Sequence, residues 1–106
     1  MKHLMIVLTV ALLPAGALAA RLDGNGLQAR CSTNDVKSCA IYLDGFAAAL
    51  STIPSDRRAA CVPEGVNGLQ MRDVVLKYLR NTPEARQKPA ADLIAAAFAK
   101  AWPCHG

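Results

Sequence analysis

The sequence predicts an all-α fold, a small disulfide-stapled bundle of about four helices. Apolar residues recur at helical spacing from Val36 to Ile53, from Gly68 to Asn81 and from Pro89 to Trp102. Start and stop signals frame these runs, with Asn67 and Gln70 before one and Pro54, Pro83 and Pro89 at the breaks. Four cysteines stand in a chain too short to build a large core, where covalent help is expected.

At the start, Met1-Lys2-His3 is cationic, Leu4 to Leu13 is apolar, and Pro14 and Gly16 break the run before Ala17-Leu18-Ala19. This is the pattern of a secretory signal cleaved after Ala19, with the bond after Ala20 as the near alternative. The apolar run is roughly half of the ~20 residues that span a bilayer, which argues against a membrane anchor. No cysteine lies at the cleavage site, so a lipid anchor is not expected. Residues 20–106 then form one domain of about 87 residues, with no membrane association after cleavage.

Arg21 to Gly26 is turn-rich, and Leu27 to Cys31 is read as a single helical turn. Ser32-Thr33-Asn34-Asp35 offers several N-caps for the next helix, Val36 to Ile53. Val36, Ala40, Leu43, Ala47 and Leu50 form one stripe of that helix, and Tyr42, Phe46, Ala49 and Ile53 a second beside it. So little polar face predicts a helix sandwiched inside the bundle or in a dimer interface. Pro54 ends it, and Pro54 to Val66 is the longest polar connection. A disulfide at Cys61 would hold one end of this loop while Ser55, Asp56, Arg57 and Arg58 stay exposed. Loops on a stiff scaffold are common binding elements, so these four residues are the candidate partner-binding set, although a plain solvated connection has the same composition.

Asn67 and Gln70 have the spacing of a capping box, and Glu64 lies just upstream of the positive helix end. The helix therefore begins near Gly68. Leu69, Leu76 and Leu79 make one stripe and Met71, Val75 and Tyr78 another, until Asn81-Thr82-Pro83 stops the run. A short turn at Glu84–Lys88 precedes a helix from Pro89 to Trp102, with Ile94, Ala97, Phe98 and Ala101 on one face and Leu93 widening it. Two antiparallel helices of similar length bring Cys61 near Cys104.

An even cysteine count in a secreted chain reads as two disulfides. An up-and-down bundle pairs Cys31 with Cys39 and Cys61 with Cys104; a crossed topology pairs Cys39 with Cys61 and Cys31 with Cys104. The first set would contribute roughly 2.5 and 4 kcal/mol by the loop-entropy model.

Several chemistries lack their residues. The mature part has one histidine, His105, the penultimate residue, and no Cys-x-x-Cys pair, so neither a zinc site nor a Ser-His-Asp or Cys-His set is expected. Glu64 and Glu84 fit helix-start electrostatics better than a glycosidase pair. No glycine-rich phosphate loop is present, and no cofactor is expected. Without Lys2 the chain keeps eleven Lys and Arg against eight acids. That excess is small and scattered, unlike a nucleic-acid-binding face. Lys77, Arg80, Arg86 and Lys88 do cluster around the helix turn, where their ordinary role is to satisfy helix C-termini.

The runs C-V-P-E-G-V from Cys61, Q-M-R-D-V-V-L-K-Y-L from Gln70, T-P-E-A-R from Thr82, P-A-A-D-L-I-A-A-A-F from Pro89 and the final W-P-C resemble the Rap/Tai family of immunity proteins against type VI secretion toxins. The segment C-A-I-Y-L-D-G-F from Cys39 is similar to the family's Cys-x-Gly-Tyr-Ile-x-Gly, with Ala40 where Gly is common; Gln87-Lys88 stands where a His is frequent. The resemblance implies a periplasmic, non-enzymatic protein, often a homodimer, that binds a cell-wall hydrolase, typically a peptidoglycan amidase, and occludes its cleft. Ser55, Asp56, Arg57 and Arg58 are then the expected toxin-facing residues. Two other classes compete: a small periplasmic helical chaperone or stress protein, and an orphan structural member of the same fold.

Overall fold

The computed structural model describes residues 22–105. The signal-peptide expectation falls on residues 1–19, outside them. Four α-helices and no strands make up the described part: α1 Gly24–Ser32, α2 Val36–Leu50, α3 Gly68–Asn81 and α4 Ala90–Ala101. Single 3₁₀ turns occupy Ser55–Arg57 and Pro83–Ala85. Helix α3 packs against each of the other three, most extensively against α2.

The caps explain where the helices begin. Asn67 accepts from the Gln70 amide at 2.8 Å, and the Gln70 side chain accepts from the Asn67 amide at 2.8 Å, so the expected capping box is present. Asp35 caps α2 through Ser38. Helix α1 is longer than the one turn read from Leu27 to Cys31. Asp23 caps it by accepting from Gly26, and the amides of Gly24 and Asn25 donate to Lys88 and Arg86 carbonyls at 3.0 and 3.1 Å. Two orphan donors of a helix start are thus satisfied by a connector more than sixty residues away, which lets a glycine-rich stretch enter a helix. Gly24 is required there: a Cβ would lie 2.8 Å from the Arg86 Cα.

Helix α2 ends at Leu50, short of the expected Ile53. The hydroxyls of Ser51 and Thr52 donate back to the Ala48 and Ala49 carbonyls at 2.7 Å, and Pro54 disfavours helical geometry at Ile53. Helix α4 begins at Ala90, with Pro89 in the cap position.

The core comprises Leu27 from α1, Leu43 from α2, Met71, Val75, Leu76 and Leu79 from α3, and Leu93, Ile94, Ala97 and Phe98 from α4, closed by the Cys31–Cys39 disulfide and Ala60. Leu69 was expected in the α3 stripe but is exposed, as is Ala101 of α4. The reason for Leu69 is the helix crossing. Gly68 meets α2 directly, so the next residue is rotated about 100° off the contact.

Gly68 is buried against Ala40, and a Cβ there would overlap the Ala40 carbonyl oxygen and lie 2.8 Å from the Ala40 Cβ. Backbone stands on the other side, so the two helices must separate to admit a methyl. Gly68→Ala is expected to lose about 2 kcal/mol despite the better helix propensity of alanine, read as a lower urea midpoint at unchanged slope.

Both disulfides of the up-and-down arrangement are present. Cys31–Cys39 joins the last turn of α1 to the first turns of α2, with Cα atoms 5.1 Å apart. Cys61–Cys104 joins the residue stretches before α3 and after α4, with Cα atoms 4.9 Å apart. A backbone bond from the Cys61 amide to the Trp102 carbonyl at 2.9 Å runs beside it.

Candidate functional site

The connection between α2 and α3 is polar and proline-bearing, so it cannot continue either helix, and its ends are fixed. At one end Ala60 is fully buried and Cys61 is held by the disulfide and by Trp102. At the other end Arg58 turns back on α2. Its Nε donates to the Ile53 carbonyl at 2.8 Å, its Nη2 donates to the Ser51 carbonyl at 3.4 Å, and its Nη1 lies 3.8 Å from the Cys61 Sγ. The guanidinium thereby ties the loop to the cap residue and the turn just past the end of α2, on the side where the negative end of the helix dipole favours a cation.

Between these anchors Ser55, Asp56 and Arg57 form a 3₁₀ turn closed by the Arg57 amide on the Pro54 carbonyl at 2.9 Å. All three residues are exposed. Of the four candidate binding residues, the structure thus brings three to the tip of a braced loop and puts the fourth, Arg58, half-buried at its base. A hollow of about 270 Å³ lies under the loop, lined by Arg58, Glu64, Asp44 and Ala48 among others.

Arg58 is one of three arginines spent in this way. Arg72 donates to the Cys31 carbonyl at the end of α1 at 2.7 Å, and Arg86 donates to the Leu79 carbonyl near the end of α3 at 2.9 Å. Sequence reading assigned a helix-end role to the cluster containing Arg86, but nothing local pointed to Arg72 or Arg58, whose target carbonyls are set by tertiary packing. Replacing Arg58 by Ala is expected to cost about 1 kcal/mol and to speed hydrogen exchange at the Ser51, Thr52 and Ile53 amides, while amides inside α3 keep their protection.

The apolar face of α2 lies partly outside the bundle. Leu43 is buried, and Phe46, Ala47 and Leu50 are half-buried, but Ile41 is 64% exposed, Tyr42 40% and, just beyond the helix, Ile53 37%. Of the two settings expected for this helix, burial within the bundle accounts only for the Leu43 side.

Among the described residues no group of three His, Cys, Asp or Glu is placed to hold a metal ion, and no helix is long and apolar enough to cross a membrane.

Comparison with known proteins gives a single kind of match. No curated protein and no solved structure matches the chain. A family model described as Rap1a immunity proteins matches residues 23–104. That span holds all four helices, both disulfides and the Ser55–Arg58 loop, so the chain belongs to the Rap1a immunity protein family.

Proposed function

We propose that the chain is a periplasmic immunity protein that binds a toxin delivered by type VI secretion, a peptidoglycan amidase, and blocks its active cleft. The observation that carries this reading is the family match over residues 23–104. Export through the Met1–Ala19 signal would place the chain where disulfides form and where a cell-wall hydrolase acts.

The mechanism is steric. Ser55, Asp56 and Arg57 enter the cleft as a preformed tip, so little loop entropy is lost on binding, and Arg58 keeps the base in place. Catalysis by the chain itself plays no part. The exposed strip of Ile41 and Tyr42 serves a homodimer, in which the same face of α2 meets itself across a two-fold axis.

The test mixes residues 20–106 with each cell-wall hydrolase that the neighbouring genes encode and follows release of soluble fragments from purified peptidoglycan. Equimolar chain should abolish release, and D56K/R57E should raise the inhibition constant on the order of thirtyfold, about 2 kcal/mol, for loss of a central contact. Inhibition of no co-encoded hydrolase would leave an orphan member of the fold. Protection of unrelated proteins from acid-induced aggregation would point to a chaperone.

A further inference from the structure

A second surface lies away from the loop, between α3 and α4. It is a groove of about 330 Å³ lined by Val74, Tyr78, Ala97 and Ala101, with Lys77 and Lys100 on its walls and Asn81 and Thr82 at one end. Its lining is largely apolar, and Ala97 is fully buried at the bottom while Val74 and Tyr78 are half-covered.

The cations set this groove apart from an ordinary helix–helix furrow. Three arginines of the chain are used on helix ends, but Lys77 and Lys100 are exposed and form no ion pair among the described residues. The one carboxylate a helical turn from Lys77, that of Asp73, is engaged by Arg72 at 3.3 Å. Lys100 has Ala96 one turn before it and no acidic residue in α4 after Asp92. Two ammonium groups therefore share an apolar groove without a counter-charge, and whatever fills it should supply a carboxylate as well as an apolar side chain.

We propose that the α3–α4 groove docks an acidic segment of the partner protein, with a large apolar side chain over Val74 and Ala97 and flanking carboxylates on Lys77 and Lys100. The proposal rests on the reading that the chain works by binding another protein. It adds a second contact, separate from the Ser55–Arg57 tip. Within the groove the lining cations are Lys77 and Lys100, a pair spaced along an apolar furrow, which suits the carboxylates of a peptide better than a flat anionic membrane surface. Asn81 offers an amide beside them, able to bond the backbone of an extended segment.

The experiment titrates ¹⁵N-labelled residues 20–106 with the acetylated, amidated peptide Glu-Glu-Leu-Leu-Glu-Glu, and with its Gln-Gln-Leu-Leu-Gln-Gln counterpart. The acidic peptide should shift the amides of Val74, Tyr78, Ala97 and Ala101, bind more weakly as salt is raised, and lose about tenfold in affinity to K77Q/K100Q, roughly one charge-assisted contact. Equal binding of the neutral peptide, shifts confined to other surfaces, or equal binding to the double variant would overturn the groove. So would preferential binding of the wild type to phosphatidylglycerol vesicles, or concentration-dependent shifts without peptide that place a second copy there. The hydrolase assay separates this from the toxin reading. K77Q/K100Q that inhibits as well as wild type removes the groove alone, whereas a chain that takes the acidic peptide yet inhibits no hydrolase removes the toxin reading alone.

Discussion

Replacing Cys61 and Cys104 together by serine lowers the unfolding free energy by about 4 kcal/mol, the chain entropy released when the 43-residue separation is no longer closed in the unfolded state. For a domain of this size that corresponds to a fall in Tm on the order of 20 °C. The loss has a local consequence too. The bridge fixes Cys61 beside Trp102 and sits against Arg58, whose carbonyl oxygen is 3.7 Å from the Cys104 Sγ. Without it the loop keeps its Arg58 anchor on α2 but loses the covalent one, so amide exchange should rise from Ala60 to Val66 before the interior of α3 opens. Thermal unfolding of C61S/C104S against wild type checks the magnitude. The order of reduction checks the assignment: Cys61 and Cys104 are half-buried whereas Cys31 and Cys39 are fully buried, so a mild thiol reductant should open the first bridge and leave the second. A double variant within 1 kcal/mol of wild type would mean that α3 and α4 hold their open end by packing alone.

The parts of this fold legible in the sequence are those encoded by neighbours along the chain. The α3 start follows from Asn67 and Gln70, three residues apart, and α4 follows from Pro89 and an alanine-rich apolar face. The disulfide pairing follows from an up-and-down order of the helices, because antiparallel neighbours put Cys61 and Cys104 at one end. The misreadings share a different cause. Asp23-Gly24-Asn25-Gly26 has turn composition, and only the Arg86 and Lys88 carbonyls, far along the chain, make it a helix start. Leu69 fits a heptad with Leu76, yet Gly68 is the residue that α2 selects by allowing close approach.

The candidate site divides the same way. A polar loop between two helices, tied down at a cysteine, was visible as a presented element. That Ser55, Asp56 and Arg57 face solvent while Arg58 braces them depends on where the end of α2 lies, which residue types alone do not specify. The α3–α4 groove gave no signal at all, since Lys77 and Lys100 each occupy an ordinary exposed helix position and acquire a joint meaning only when their helices are packed.

Phe98→Ala is expected to cost about 4 kcal/mol, the other large loss in the molecule, because its ring is where α2 and α4 meet over the core. It is the largest side chain that is fully buried. Its ring stands edge-on to Phe46 of α2 at 5.9 Å between centroids and to Trp102 at 5.5 Å. Truncation removes the buried ring and leaves a cavity, and it also deprives two half-buried aromatics of their partner. Phe98→Leu keeps most of the volume and should cost only about 1 kcal/mol. Since Trp102 carries the carbonyl that holds the Cys61 amide, the aromatic cluster and the Cys61–Cys104 bridge stabilise the same end of the bundle. Their losses should then couple, and F98A in the C61S/C104S background is expected to depart from additivity by about 1 kcal/mol. Tryptophan fluorescence during urea unfolding reads both quantities, because Trp102 is the only tryptophan in the chain. An F98A midpoint equal to that of F98L would show that Phe46 and Trp102 close over the gap, and the ring would then be filler instead of the joint between α2 and α4.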